Sequence, residues 1–347
     1  MNNNNQMDIY ASAFCVENNE VYIMHGKLNA FFKYNLITGE MEYIDSIPNE
    51  ELVQESMYLG VHKYKHKLVF IPCWGSRIMI YDINTREFRE IQEEKKRNGR
   101  FIYSYIQDNM LICIPFYEDY ILKIDLDGEF VTNKIGWKKN DFSDSYINKS
   151  FWVGETLIMV VPNARDKLLV FDGDKVTEVL LGNKGLLYTS GCYVNGKIYL
   201  YSMETMKIYE YEKDTYSCIR EFYVYKKEKS GLSQLGNRWM LQENGYNGDR
   251  FLVQDNHYID YSKKRIKTSI FNGNCVQGIC RNYEKRFFYY DLRDSFLYEI
   301  DCDGNYKRFK MSVDIDTLKN KYSPLFLKKE ICDESEIVGL KELIETI

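Results

Sequence analysis

The chain predicts an all-β fold, a seven-bladed β-propeller of four-stranded antiparallel blades followed by a short C-terminal helical extension, and three observations carry that expectation. Three of the five prolines occupy one position of a repeat, because IPCWGSRIMIYDI (71–83), IPFYEDYILKIDL (114–126) and VPNARDKLLVFDG (161–173) align without a gap. The same frame fits MHGKLNAFFKYNL (24–36), YSMETMKIYEYEK (201–213) and YDLRDSFLYEIDC (290–302), and a shorter copy centres on HYIDYS (257–262). The central residues Tyr34, Tyr81, Ile124, Phe171, Tyr211, Ile259 and Ile300 step by 47, 43, 47, 40, 48 and 41, the length of one four-stranded blade. Finally, 30 Tyr and 19 Phe suit pleated, half-buried surfaces.

Blade 1 sets the pattern. SAFCVEN, EVYIMHG, AFFKYNL and EMEYIDSI read as four strands, A to D from the axis outward, separated by Asn-Asn, a polar loop and Thr-Gly. Blade 2 repeats it with MYLGVHKY, KLVFIP, RIMIYDI and EFREIQ, and blade 3 with IYSYIQ, NMLICIP, YILKIDL and EFVTNKI. The blades fall near 10–48, 57–92, 101–137, 147–182, 187–224, 236–271 and 276–311, after a flexible tail at 1–9. Residues 312–347 form the extension, in which Ile337, Leu340, Leu343, Ile344 and Ile347 stand at helical spacing, so that 335–347 reads as an amphipathic helix that packs on the propeller or holds a partner.

Two polar positions recur with the frame. Asp82, Asp125, Asp172, Asp260 and Asp301, with Asn35 and Glu212 in the other copies, precede the C–D turn; Asn29, Ser76, Asp119, Asp166 and Ser295 open strand C. Both read as turn chemistry, since short polar side chains accept hydrogen bonds from backbone amides where a strand turns.

The repeat resembles the kelch-like and quinoprotein-like β-propellers over residues 10–311. It lacks the kelch Gly-Gly doublet after strand B, the Gly-His and Trp-Asp of WD40 repeats, the YWTD pattern and the sialidase Asp-box. The resemblance therefore implies an architecture and no active site.

Function is expected on the face where B–C and D–A loops gather, because a constant frame there carries variable tips. Candidate ligand contacts are Trp74 with Arg77, Phe116 with Tyr117, Arg165, Arg293, and His25, which stands where other blades carry proline. Aromatic rings beside guanidinium groups suit sugars or peptide side chains. The leading expectation is a non-catalytic module that binds a protein, peptide or glycan; the alternative is a carbohydrate-active enzyme using loop carboxylates such as Glu118, Asp119, Asp166, Glu204 and Asp294.

His62 and His66 stand four apart, but VHKYKHKL reads as a strand end and a turn rather than a helix, so the spacing makes no metal pair. No cofactor fingerprint, metal pattern or nucleophile motif appears, and neither metal nor cofactor is expected. A net charge of −5 argues against a nucleic-acid partner. No apolar run approaches the roughly 18 residues of a membrane span. The start MNNNNQMDIY lacks a secretory pattern and the nine cysteines form no CxxC pair, so the expected location is cytoplasmic with reduced thiols.

Overall fold

The computed structural model describes residues 6–50, 57–91, 101–116, 118–128, 130–137, 147–162, 164–182, 185–194, 196–202, 204–205, 207–223, 242–243, 250–253, 257–260, 265–268, 278–283, 286–291, 295–300, 306–316 and 318, with backbone alone between 242 and 268. Each blade is a meander in which every strand pairs with its neighbours in sequence. Blade 1 consists of Ala11–Glu17, Glu20–His25, Phe31–Asn35 and Met41–Asp45, and blade 2 of Tyr58–Tyr64, Lys67–Pro72, Ile78–Asp82 and Phe88–Ile91. Blade 3 uses Phe101–Gln107, Met110–Pro115, Tyr120–Asp125 and Thr132–Gly136; blade 4 uses Lys149–Val153, Thr156–Val160, Lys167–Phe171 and Val176–Leu180. Blade 5 consists of Ser190–Val194, Lys197–Ser202, Lys207–Glu212 and Cys218–Tyr223, and the last blade of Gly278–Tyr283, Arg286–Asp291, Phe296–Ile300 and Tyr306–Lys310.

The core lies between blades rather than inside them. The B strands of the six full blades are buried on both faces, and alternate side chains enter different cores. Tyr22 and Met24 of blade 1 meet Leu68 and Phe70 of blade 2, whereas Val69 and Ile71 from the other face of the same blade 2 strand meet Leu111 and Cys113 of blade 3. Ile112 and Ile114 then face Leu157 and Met159, and Ile158 and Val160 face Ile198 and Leu200. Two-residue A–B turns suit this pattern, with Asn18, Lys65, Asp108 and Gly154 each in the left-handed backbone region that such hairpins require.

The predicted seven-bladed propeller with a C-terminal helical extension is corrected at both of its weak points. Six full blades are described, and the weak copy forms a reduced four-stranded set, Gln242–Glu243, Arg250–Val253, His257–Asp260 and Arg265–Thr268, whose first strand has only 2 residues. Among the described residues helical backbone is confined to Ile315, Asp316 and Leu318, and the elements are all strands. Where the extension was expected to begin, Ser312–Asp314 is a strand, and it pairs with Gln6–Asp8 from the expected tail. The reason is a period of two: Met311, Val313 and Ile315 alternate into the same core as Met7, Ile9 and Ala11. The proposed helix at 335–347 lies outside the described residues.

Recurring polar residues behave as turn chemistry. One carboxylate or amide oxygen of Asn35, Asp82, Asp125 and Asp172 accepts the backbone N–H groups two and three residues on, at 2.8–3.2 Å. The residues that open strand C reach to D–A loops instead. Asn29 exchanges two bonds with the Ile47 backbone, Ser76 bonds both oxygens of Glu50, and Asp166 accepts from Leu186 at 2.9 Å and from Gly185.

Gly60, on strand A of blade 2, gives a direct test of inter-blade packing. A Cβ there would stand 2.8 Å from the Ile71 Cβ and run into the Ser104 hydroxyl of blade 3. Gly60→Ala should therefore lower the urea unfolding free energy by about 1–3 kcal/mol, the usual cost of overpacking. Ser104→Ala in the same chain should recover part of the loss.

Candidate binding channel

The innermost strands surround a central cavity of about 790 Å³. In blades 1, 2 and 3 the A–B register slips by one residue at the same place, between Ala11 and Ala13, Tyr58 and Gly60, and Phe101 and Tyr103. A bulge re-aims the side chain it frees. The three freed residues, Ser12, Leu59 and Ile102, all line the cavity.

The wall is aromatic and cationic. Tyr103 and Tyr105 of blade 3 donate to the blade 4 backbone at Asn148 (2.7 Å) and Ser150 (2.8 Å), so both rings are fixed. Trp152 meets Tyr105 edge to face at 5.9 Å. Lys149, only 6% exposed, lies 5.7 Å from the Tyr103 ring centre. Arg281 enters from the last blade and donates from Nε to the Phe14 carbonyl at 3.1 Å. Glu17 is the one carboxylate among the described lining residues, and it pairs with Lys63 across the junction of blades 1 and 2.

His62 and Ser104 face each other across blades 2 and 3, Nε2 to Oγ 2.6 Å. The geometry is that of a base beside a hydroxyl, but the electrostatics oppose its use. Burial, reinforced by the Arg281 charge, pushes His62 down to about 3, because an imidazolium would form beside a fixed guanidinium. Burial likewise pushes the Cys15 thiol up to about 12 and the Tyr105 hydroxyl up to about 12. These groups hydrogen-bond and pack; they neither donate nor take protons readily near neutrality. No group of three or more His, Cys, Asp or Glu able to hold a metal occurs among the described residues.

None of the described loop candidates lines this cavity. Trp74 packs against the core between blades 1 and 2, and its backbone N–H donates to the Met57 carbonyl at 3.1 Å. Arg77 bonds Glu90 at 2.7 Å, the Asn49 carbonyl at 3.3 Å and Ser76 at 3.2 Å. Arg165 bridges blades 4 and 5 through Glu204 at 3.0 Å and the Gly185 carbonyl. Phe116 is half-buried at the end of strand B, and Tyr117 and Arg293 lie outside the described residues. His25 is buried, with Nδ1 accepting the Lys27 and Leu28 N–H groups, each at 3.0 Å. The B–C loops thus hold blades together, and two of the carboxylates considered for hydrolysis, Asp166 and Glu204, are part of that fastening. The sequence signal for the channel was there to be read: A strands carry Cys15, His62, Ser104 and Arg281 where B strands are almost wholly apolar.

Burial pushes His25 from 6.5 down to about 3. The unfolded chain therefore binds a proton below pH 6.5 that the folded chain refuses until about pH 3, and stability falls with pH across that window by about 1.4 kcal/mol per unit for this one group. His25→Asn retains an acceptor for the loop amides and removes the titration. Its melting temperature should fall less steeply than that of the native chain between pH 6.5 and 4.

No family model and no curated protein matches the chain. Solved structures do: virginiamycin B lyase from Staphylococcus aureus, 10% identical, with a TM-score of 0.61 over 83% of this chain and 95% of that one; YCF48 bound to D1 peptide, 6% identical, TM-score 0.59 over 83% and 93%; and Hsv2 of Kluyveromyces lactis, 9% identical, TM-score 0.54 over 89% and 100%. At these identities the likeness is one of fold, and it gives the kelch-like resemblance no further support. The chain is a β-propeller.

Proposed function

We propose that this propeller is a non-catalytic recognition module whose ligand seat is the central channel rather than the rim of loops. One observation carries the reading: a cavity of about 790 Å³ whose aromatic and cationic wall is held rigid by bonds between blades. That size admits a drug-sized molecule, a peptide terminus or a short glycan end, and excludes a folded domain. Pre-set rings and charges favour binding, because little side-chain freedom is lost on contact. A peptide or protein partner is the preferred class. The likeness in fold to YCF48 bound to D1 peptide, and to a chain of the mitotic checkpoint complex, supports that choice.

The carbohydrate-active alternative draws less support. Virginiamycin B lyase shows that the scaffold accommodates an enzyme, but here burial holds His62, Cys15 and Tyr105 of the channel away from the working range, and Asp166 and Glu204 serve the loops. A cytoplasmic setting belongs to the same proposal. It is supported by the five described free cysteines, of which Cys73, Cys113 and Cys192 are buried.

Purified full-length protein on arrays of peptides and glycans, with hits titrated by Trp fluorescence, tests the reading. Leu59→Trp, which fills the channel from a bulge, should abolish binding; Arg165→Ala, on the rim, should leave it intact; and bound ligand should be recovered unchanged. The reverse pattern of the two variants would return the site to the loops, and turnover would make the protein an enzyme.

A further inference from the structure

Resting on the channel reading above, we infer that the channel takes an aromatic residue of a peptide, its ring against the inner strands of blades 2 to 4 and its backbone amide at the His62–Ser104 pair. The arc of wall from Leu59 to Trp152 leads to this. Every residue of its three strands, Tyr58–Tyr64, Phe101–Gln107 and Lys149–Val153, is described, so this part of the wall is complete. Leu59, Ile102, Ile106 and Trp152 line the cavity there while only half-buried. Water confined beside such side chains is released when an apolar group takes its place, which favours an apolar guest. Leu59 and Ile102 are also the residues that the register slips of blades 2 and 3 leave over, so the backbone itself is bent to present them.

Blade 3 contributes the longest stretch of this surface. Ile102 through Ile106 all line the cavity and all are half-buried. Their four residue steps span about 13 Å of strand, the reach of about four residues of an extended peptide. Tyr105, held by the Ser150 carbonyl, and Trp152, set at 83° to it, form a fixed aromatic corner to which a further ring can add edge to face or offset. Tyr103 differs, because Lys149 lies over its ring. The polar half of the seat is the His62–Ser104 pair. Its Nε2–Oγ bond is the single hydrogen bond of His62 among the described residues, which leaves Nδ1 to a guest in the cavity that His62 lines. The imidazole stays neutral, so it offers one donor and one acceptor. When the Ser104 hydroxyl donates to Nε2, Nδ1 carries the proton and donates; when Nε2–H donates to Ser104, Nδ1 accepts. The pair can therefore meet either the C=O or the N–H of a peptide amide, and rotation of one hydroxyl follows that choice.

N-acetylated, C-amidated tripeptides Ala-X-Ala, with X as Phe, Gly, Glu or Lys, test the seat by calorimetry, beside N-phenyl-1-naphthylamine as an aromatic probe without an amide. The Phe tripeptide should bind most tightly, the others about tenfold or more weaker. Trp152→Ala should weaken the Phe tripeptide by about tenfold, and Trp152→Phe, which keeps a ring should the alanine variant fold poorly, should recover most of the loss. His62→Leu should weaken the Phe tripeptide about threefold to tenfold more than it weakens the naphthylamine, the worth of one neutral hydrogen bond, and His62→Gln should restore much of the difference. Leu59→Trp should weaken both ligands. A Gly, Glu or Lys tripeptide bound as tightly as the Phe one, or naphthylamine bound without any tripeptide, would overturn the aromatic peptide residue while leaving the channel seat standing. Equal losses of tripeptide and naphthylamine in His62→Leu would overturn the role of the His62–Ser104 pair. Binding of no ligand, or binding indifferent to Leu59→Trp, would overturn the channel seat as well.

Discussion

Everything in this molecule depends on B strands that are apolar on both faces. A single blade has no interior; it acquires one on each side only when neighbours arrive, as Val69 and Ile71 do for blade 3 and Leu68 and Phe70 do for blade 1. The stabilising area is thus distributed around a ring, and the ring must close. Closure is achieved by the pairing of Gln6–Asp8 with Ser312–Asp314, by Ile9 N–H donating to Met311 at 2.9 Å, and by Tyr290 reaching the Ile9 carbonyl. The segments that flank the blades thereby fill one core between blade 1 and the last blade.

The architecture was legible because it is repetitive. A thirteen-residue frame repeated around the chain averages out local ambiguity, and the recurring Asp and Asn residues announced their turns by position alone. The closing strands were not legible for the opposite reason. Each is 3 residues long, occurs once, and its alternation of Met7 with Ile9 and of Met311 with Val313 is too short to stand out from loop composition.

The loop face was put forward on the variability of its residues, and variability has a second reading. Variable residues on a constant frame do mark where a scaffold is free to change, but Trp74, Arg77 and Arg165 vary because each junction between blades is fastened differently. Glu50 holding Ser76 and Tyr58 is one solution, and Glu204 holding Arg165 is another. The channel escaped notice because its members are divided among the A strands of different blades and meet only when the ring is assembled. What marks them in sequence is polarity inside strands that topology makes innermost, a criterion usable only after the blades have been assigned.

The register slips in blades 1 to 3 give the channel a property beyond its size. Three consecutive blades turn an extra side chain toward the axis, whereas strand A of blades 4 and 5 and of the last blade keeps a regular register. One half of the wall is therefore out of phase with the other, and the near-rotational symmetry of a propeller is broken at the axis, where a bound molecule would sense it. A symmetric tube would accept a guest in many rotations; this one behaves as a keyed socket, in which the orientation of whatever enters is decided by the protein backbone before any side chain makes contact.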